Sequence, residues 1–217
     1  MFEKGNWKRD AADFYNQNFY AKNDAGHKID HAYDVYLEML RLNKSLELNL
    51  DEDMIFMTAF THDLFIHEGR QFHHNAAMNY VVASSDPFLD NFDPDQLWVI
   101  GQAVNEHRAS GKDHYSNDYS RIIRLADKGV PDLNKIIMRG YTSNKHKHDG
   151  LTDEMAIEVL DHLVKKFGRD GYGFKSVDYR KVYGHELEDF WLDLDGINID
   201  EWIRRVKLGL NNELCFK

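Results

Sequence analysis

Residues Met57 to Ser84, MTAFTHDLFIHEGRQFHHNAAMNYVVAS, hold four histidines and one aspartate within thirteen positions: His62, Asp63, His67, His73 and His74. Placing such groups among apolar residues costs about 1–3 kcal/mol or more for each polar group left without a partner. A divalent ion offsets that cost, because neutral imidazole and carboxylate are among its usual ligands. Water on such an ion becomes acidic enough to act as a nucleophile near neutral pH. Outside this stretch His31, His107 and Asp127 also stand where helical periodicity predicts burial. His62 and Asp63, being adjacent, lie about 100° apart around a helix, so both can face one ion from its edge.

Helices must position these groups. A spacing of three and four in GHKIDHAYDVYLEMLRLNK predicts an amphipathic helix over about 26–43, carrying His31. LDEDMIFMTAFTHDLFIH is acidic in its first turn and apolar nearly all round, which predicts a central buried helix carrying the His-Asp doublet. Gly69 breaks that run, and FHHNAAMNYVVASS predicts a third helix opened by His73 and His74. DPDQLWVIGQAVNEHR begins with an aspartate cap and a proline and predicts a fourth, with His107 at its end near Ser110-Gly111. SNDYSRIIRLADKGV predicts a fifth, with Asp127 late in it and Gly129 and Pro131 ending it. Thr152 and Gly168 cap a further helix across LTDEMAIEVLDHLVKKFG, and DEWIRRVKLGLNNELCFK predicts a last one. No segment shows strand alternation. The fold class expected is all-α, a helical bundle whose interior can build a metal site.

At 217 residues, with 42% hydrophobic and 13% aromatic residues, the chain is long enough for one domain with a substantial core. Its net charge of −10 sets it against extended nucleic acid and anionic membranes as partners, since both call for a positive field. A single cysteine, Cys215, offers neither a disulfide nor a cysteine-based metal site, which fits a reducing compartment. No apolar run of signal or membrane-spanning length occurs, so the expected localisation is cytoplasmic. Assembly into a homo-oligomer is left open.

KIDHAYDVYLEML, TAFTHDLF and RIIRLADK together resemble the ordered H, HD, D pattern of the HD-domain metal-dependent phosphohydrolases. The thirty-one residue step from His31 to His62 is typical of that family, and the resemblance covers about residues 24–135, leaving about 150–217 as a helical extension. It implies that His31, His62, Asp63 and Asp127 bind a first divalent ion, one of Mn, Fe, Co, Ni, Zn or Mg. In members with a second ion the doublet's aspartate bridges, and two further histidines complete the set. Here His107 and one of His73 and His74 stand in those places. The eleven-residue step from His62 to His73 is shorter than in most dinuclear members, so one ion or two remains open. His73 is the preferred ligand because small Ala77 follows one turn later, and His74 then serves as proton donor or phosphate contact.

The activity implied is hydrolysis of a nucleotide or other small phosphate ester or anhydride, with Asp63 and the ion positioning water for in-line attack. His67, with Glu68 beside it, is a candidate acid or base in the loop after the doublet. His27, four residues before His31, and the cations Arg70, Arg108, Lys112 and Lys128 are candidate phosphate contacts, because each lies close in sequence to an expected ligand. For each the competing reading is a solvated surface charge. His114, His146, His148, His162 and His185 are expected on the surface. Two other functions stay open: a di-iron oxygenase with the same six ligands, and a regulatory domain that binds a nucleotide. A guanosine-tetraphosphate hydrolase, prompted by RLADKG, is disfavoured because HDLFIHE lacks an acidic pair directly after the doublet.

Overall fold

The computed structural model describes residues 6–24, 26–108, 114–144 and 152–215. The protein is all-α, and no strand occurs among the described residues. Where the sequence predicts one domain, the chain divides into two compact units, Met1–Gly129 and Val130–Lys217. The boundary falls where Gly129 adopts φ +67°, a left-handed conformation open to glycine, and Pro131 follows. No helix among the described residues is long and apolar enough to cross a membrane.

Among the described residues the first unit holds six α-helices: α1 (Trp7–Asn18), α2 (Ile29–Ser45), α3 (Glu52–Thr61), α4 (His73–Val82), α5 (Pro94–Glu106) and α6 (Asp118–Lys128). Helix α1 was not among those the sequence predicts. It is anchored by Tyr15, whose hydroxyl donates to the buried Asp86 at 2.9 Å. Helix α2 begins at Ile29 and not near 26, because the Asp24 side chain accepts from Gly26 N and its carbonyl from His27 N, holding that stretch in a turn.

Helix α3 is buried at every position from Met54 to Thr61, as its all-round apolar pattern predicts. Asp51 caps it, accepting from Asp53 N and Met54 N. The helix stops at Thr61, so the doublet lies just beyond its last turn and not within it. A continuing helix would pair His67 N–H with the Asp63 carbonyl. Instead Asn23 takes both partners: its Nδ2 donates to Asp63 O at 2.9 Å, and its Oδ1 accepts from His67 N at 3.2 Å. The chain then makes a 3₁₀ turn, Ile66–Glu68, and reverses at Gly69, where φ is +139°.

Two antiparallel helix pairs follow from side-chain contacts. Across α2 and α3, Tyr36 meets Phe56 and Tyr33 meets Phe60, with ring centroids at 5.4 and 4.8 Å. Across α4 and α5, Gly101 sits so close to Val82 that a Cβ there would lie 2.7 Å from Val82 Cγ2. The Asp93–Gln96 capping box and Pro94 start α5 as its sequence predicts. Helix α6 packs on α2 and α5.

The second unit contains α7 (Leu133–Asn144), α8 (Asp153–Phe167), α9 (Val177–Val182), α10 (Gly184–Gly196) and α11 (Ile199–Cys215). Thr152 caps α8 through Met155 N. The four aromatics of YGHELEDFWLDLDGINIDEW, namely Tyr183, Phe190, Trp191 and Trp202, are all buried and form core in this unit.

Candidate metal centre

Antiparallel pairing brings the ends of five helices to one pole of the first unit. His31 comes from the first turn of α2, His62 and Asp63 from the residues just after α3, His73 from the start of α4, His107 from just after α5, and Asp127 from the last turn of α6. C-terminal ends of α3, α5 and α6 bring their negative dipole ends to this pole. Asp63 and Asp127 add carboxylates to those ends, a like-charge arrangement that a cation relieves.

The six side chains form two groups that share Asp63. In the first, His31, His62 and Asp63 present ligand atoms within 4.8 Å of one another. His62 Nε2 lies 3.2 Å and His31 Nε2 3.8 Å from Asp63 Oδ2. Asp127 Oδ1 stands 3.0 Å from His31 Nε2 and 3.9 Å from His62 Nε2. The second group is Asp63, His73 and His107, again within 4.8 Å. Here Asp63 Oδ1 lies 3.2 Å from His73 Nε2 and 3.5 Å from His107 Nε2. Asp63 thus turns one oxygen to each group.

Three of the imidazoles are oriented by one device. Nδ1 of His62, His73 and His107 donates to the carbonyl three residues earlier, respectively Ala59, Arg70 and Val104, at 2.7, 2.9 and 2.6 Å. A carbonyl can only accept, so the proton of each neutral ring resides on Nδ1 and the Nε2 lone pair faces inward. This is the backbone support that a metal-ligating histidine ordinarily has. Its consequence is sharpest between His73 and His107, whose Nε2 atoms approach to 3.1 Å. Two lone pairs at that separation repel unless a proton or cation lies between them. Donor bonds of about 2.0–2.1 Å to one ion would place two such nitrogens roughly 3 Å apart. His62 Nε2 is completely buried and has no hydrogen-bond partner among the described residues.

The electrostatics pull positive charge to the same place. Burial opposes charging His62, yet Asp63 and then Asp127 outweigh it and raise its pKa to about 9. Burial would lift Asp63, but His62, His107 and His73 hold it well below the usual carboxylate range. Asp127 likewise resists its burial and is lowered to about 2, chiefly by the bond from His31. The residues present fit a divalent ion in both groups by donor type, orientation and charge.

The structure separates the adjacent histidines. His73 is buried and turned to Asp63 and His107, whereas His74 is only partly buried, its ring 5.5 Å from that of His73. Burial, His73, His107 and Arg108 lower the His74 pKa to about 4, so its ring is neutral near pH 7. His67 lies in the 3₁₀ turn and donates from Nδ1 to Asn23 Oδ1 at 3.0 Å. The His27 ring packs edge-on to that of His31 at 5.9 Å, and its Nδ1 meets Asp24 Oδ1 at 2.6 Å. Arg70 also reaches Asp24, at 2.8 Å. Weak burial opposes the effect, but Arg70 and His27 lower the Asp24 pKa to about 2. Arg108 is engaged with the Gln71 carbonyl at 3.3 Å, Lys128 follows Asp127 at the end of α6, and Lys112 lies outside the described residues, as do His146 and His148.

Asn23, Asp24 and Tyr20 are the neighbours that sequence reasoning missed. Tyr20 is fully buried and donates to Phe60 O at 3.2 Å; burial, with Asp63 and Asp127 nearby, keeps its hydroxyl protonated. These three sit in or beside a short connection with no periodicity to mark which residues turn inward. Comparison with protein-family models, curated proteins and solved structures gave no match.

Proposed function

We propose that the chain is a metal-dependent phosphohydrolase of the HD type that acts on a nucleotide or other small phosphate ester or anhydride. The observation that carries the metal reading is the 3.1 Å approach of His73 and His107 Nε2, with both Nδ1 protons already donated to carbonyls. His31, His62, Asp63 and Asp127 would hold one ion, and Asp63, His73 and His107 a second. The split of Asp63 between the two groups favours two ions over one. Candidate metals are Mn, Fe, Co, Ni, Zn and Mg. When bound, such ions supply Lewis acidity that makes water nucleophilic and neutralises phosphate charge.

The chain's own residues supply orientation and charge. Carbonyls of Ala59 and Val104 at helix ends, and of Arg70 in the turn before α4, would fix three ligand rings before any substrate arrives. Arg70 and His27, gathered by Asp24, and Arg108 beside the start of α4 stand near the ligands as contacts for phosphate oxygens. His67, in the 3₁₀ turn that follows the doublet, is the candidate proton donor to the leaving group.

The test is a panel of nucleoside mono-, di- and triphosphates, dinucleoside polyphosphates and cyclic nucleotides, assayed with Mn, Co, Ni and Mg on wild type and Asp63→Ala. Release of phosphate or pyrophosphate by wild type is expected, with metal and activity lost together in Asp63→Ala. Full turnover in that variant would refute the assignment. A second reading, a di-iron oxygenase, is favoured by the same shared-aspartate, six-residue arrangement. Two irons with an optical absorption and substrate-dependent oxygen consumption would select it.

A further inference from the structure

Asn23 is buried between the exposed Lys22 and Asp24, in the connection from α1 to α2. Its carboxamide is engaged on both sides. Nδ2 donates to the Asp63 carbonyl at 2.9 Å, while Oδ1 accepts from His67 N at 3.2 Å and meets His67 Nδ1 at 3.0 Å. The orientation of an asparagine amide follows from the polarity of its partners. Two of these partners are backbone groups of fixed polarity: a carbonyl that can only accept and an N–H that can only donate. Turning the amide over would set oxygen against the Asp63 carbonyl and NH₂ against the His67 N–H. The oxygen therefore faces His67, and the proton of the neutral His67 ring must reside on Nδ1.

Asn23 also stands in for the helical bond that would otherwise link Asp63 O to His67 N, so one side chain both ends the helical run and grips two residues of the site region. The His67 ring lies over Phe65 at 6.5 Å with an interplanar angle of 27°. Its Nε2 has the Glu68 carboxylate at 3.9 Å.

We infer that Asn23 is a positioning residue for proton delivery, holding His67 in the Nδ1–H tautomer so that Nε2 carries the proton passed to the leaving group. This rests on the phosphohydrolase reading above. In the step, water adds to phosphorus and the P–O bond to the leaving group breaks, its electron pair going to the leaving oxygen. Nε2–H of the His67 imidazolium supplies that oxygen's proton. The proton lost by the attacking water returns to the neutral ring through solvent, so atoms and charge balance.

The experiment compares wild type, Asn23→Ala and His67→Ala, each loaded with Mn, on p-nitrophenyl phosphate and phenyl phosphate. A good leaving group needs little protonation and a poor one needs much. Both variants are expected to lose about 10²-fold in kcat on phenyl phosphate. On p-nitrophenyl phosphate the loss is far smaller, and KM and bound metal are unchanged. Equal losses on both substrates, or loss of metal, would show a merely structural role and overturn the inference. Imidazole ¹⁵N NMR gives a readout independent of turnover, with the His67 signals identified by their absence in His67→Ala. The Nδ1–H tautomer is expected in wild type and a mixture in Asn23→Ala; an Nε2–H ring in wild type overturns the inference. Should Asn23→Ala not fold, Asn23→Asp keeps the acceptor and must keep the Nδ1–H tautomer. Wild type that binds metal but hydrolyses no phosphate sinks the phosphohydrolase reading instead, and the tautomer measurement still decides whether Asn23 fixes His67.

Discussion

Replacing His73 with alanine separates the two groups that share Asp63. His73 supplies one of three ligand groups on its side, beside Asp63 Oδ1 and His107 Nε2, and is distant in role from His31, His62 and Asp127. Without ions, the loss is the hydrogen bond to Arg70 O and the 3.2 Å contact with Asp63 Oδ1, offset by the relieved lone-pair contact with His107. That change amounts to about 1 kcal/mol, close to the net worth of a neutral hydrogen bond. With ions, removing one of three protein ligands should weaken the second site by about 100-fold or more, equivalent to about 2.7 kcal/mol. At a metal concentration near 1,000 times the wild-type Kd, stabilisation by that ion would fall from about 4 to about 1.4 kcal/mol. Equilibrium dialysis against Mn followed by elemental analysis should give two ions per wild-type chain and one per His73→Ala chain. Thermal melting across graded Mn should show the smaller metal-dependent shift. His74→Ala, whose ring belongs to neither group, should keep both ions. Two ions retained in His73→Ala, or one lost in His74→Ala, would refute the division of the site.

A folded pKa of about 9 for His62, above the ordinary 6.5, gives chelator-treated protein a stabilisation present below about pH 6.5 and lost as pH rises through 9. Asp127, lowered to about 2, contributes above about pH 4 and fails as pH falls through 2. Urea midpoints of chelator-treated protein should therefore be highest between about pH 4 and 6.5, while metal affinity, which requires displacing the His62 proton, should rise from pH 6 to 9 in calorimetric titrations. Gly101→Val should cost about 1–3 kcal/mol by forcing α4 from α5, and should weaken the second ion by separating His73 from His107; melting and metal analysis check both. Tyr15→Phe should destabilise by about 1–3 kcal/mol in urea titrations, because Asp86 loses a buried donor, with ion stoichiometry unchanged.

The buried cluster was legible because helical periodicity marks which polar residues turn inward. His31, His62, His107 and Asp127 each interrupt an apolar pattern at the end of an element, and the structure brings all four to one pole. What the sequence left undecided between His73 and His74 is decided by a local bond: Nδ1 of His73 reaches back to the Arg70 carbonyl, which turns its Nε2 to Asp63. Adjacent residues at a helix start differ by a rotation that propensity does not encode. The early end of α3 was illegible for another reason, since the bonds that replace its next turn come from Asn23, forty residues away in sequence. Helix α1 likewise depends on a tertiary partner, the bond from Tyr15 to Asp86.

The two antiparallel helix pairs have a consequence for how the chain folds. His31 meets His62 and His73 meets His107 within separate helix pairs, so part of each group can gather inside one pair, while Asp127 joins the first from α6. Asp63 alone belongs to both. Its second oxygen finds the His73–His107 pair only when the helix pairs dock, so acquisition of the second ion during refolding would clock that docking event. A metal-sensitive probe of the His73–His107 pair would then follow assembly of the first unit in real time, separately from formation of its helices.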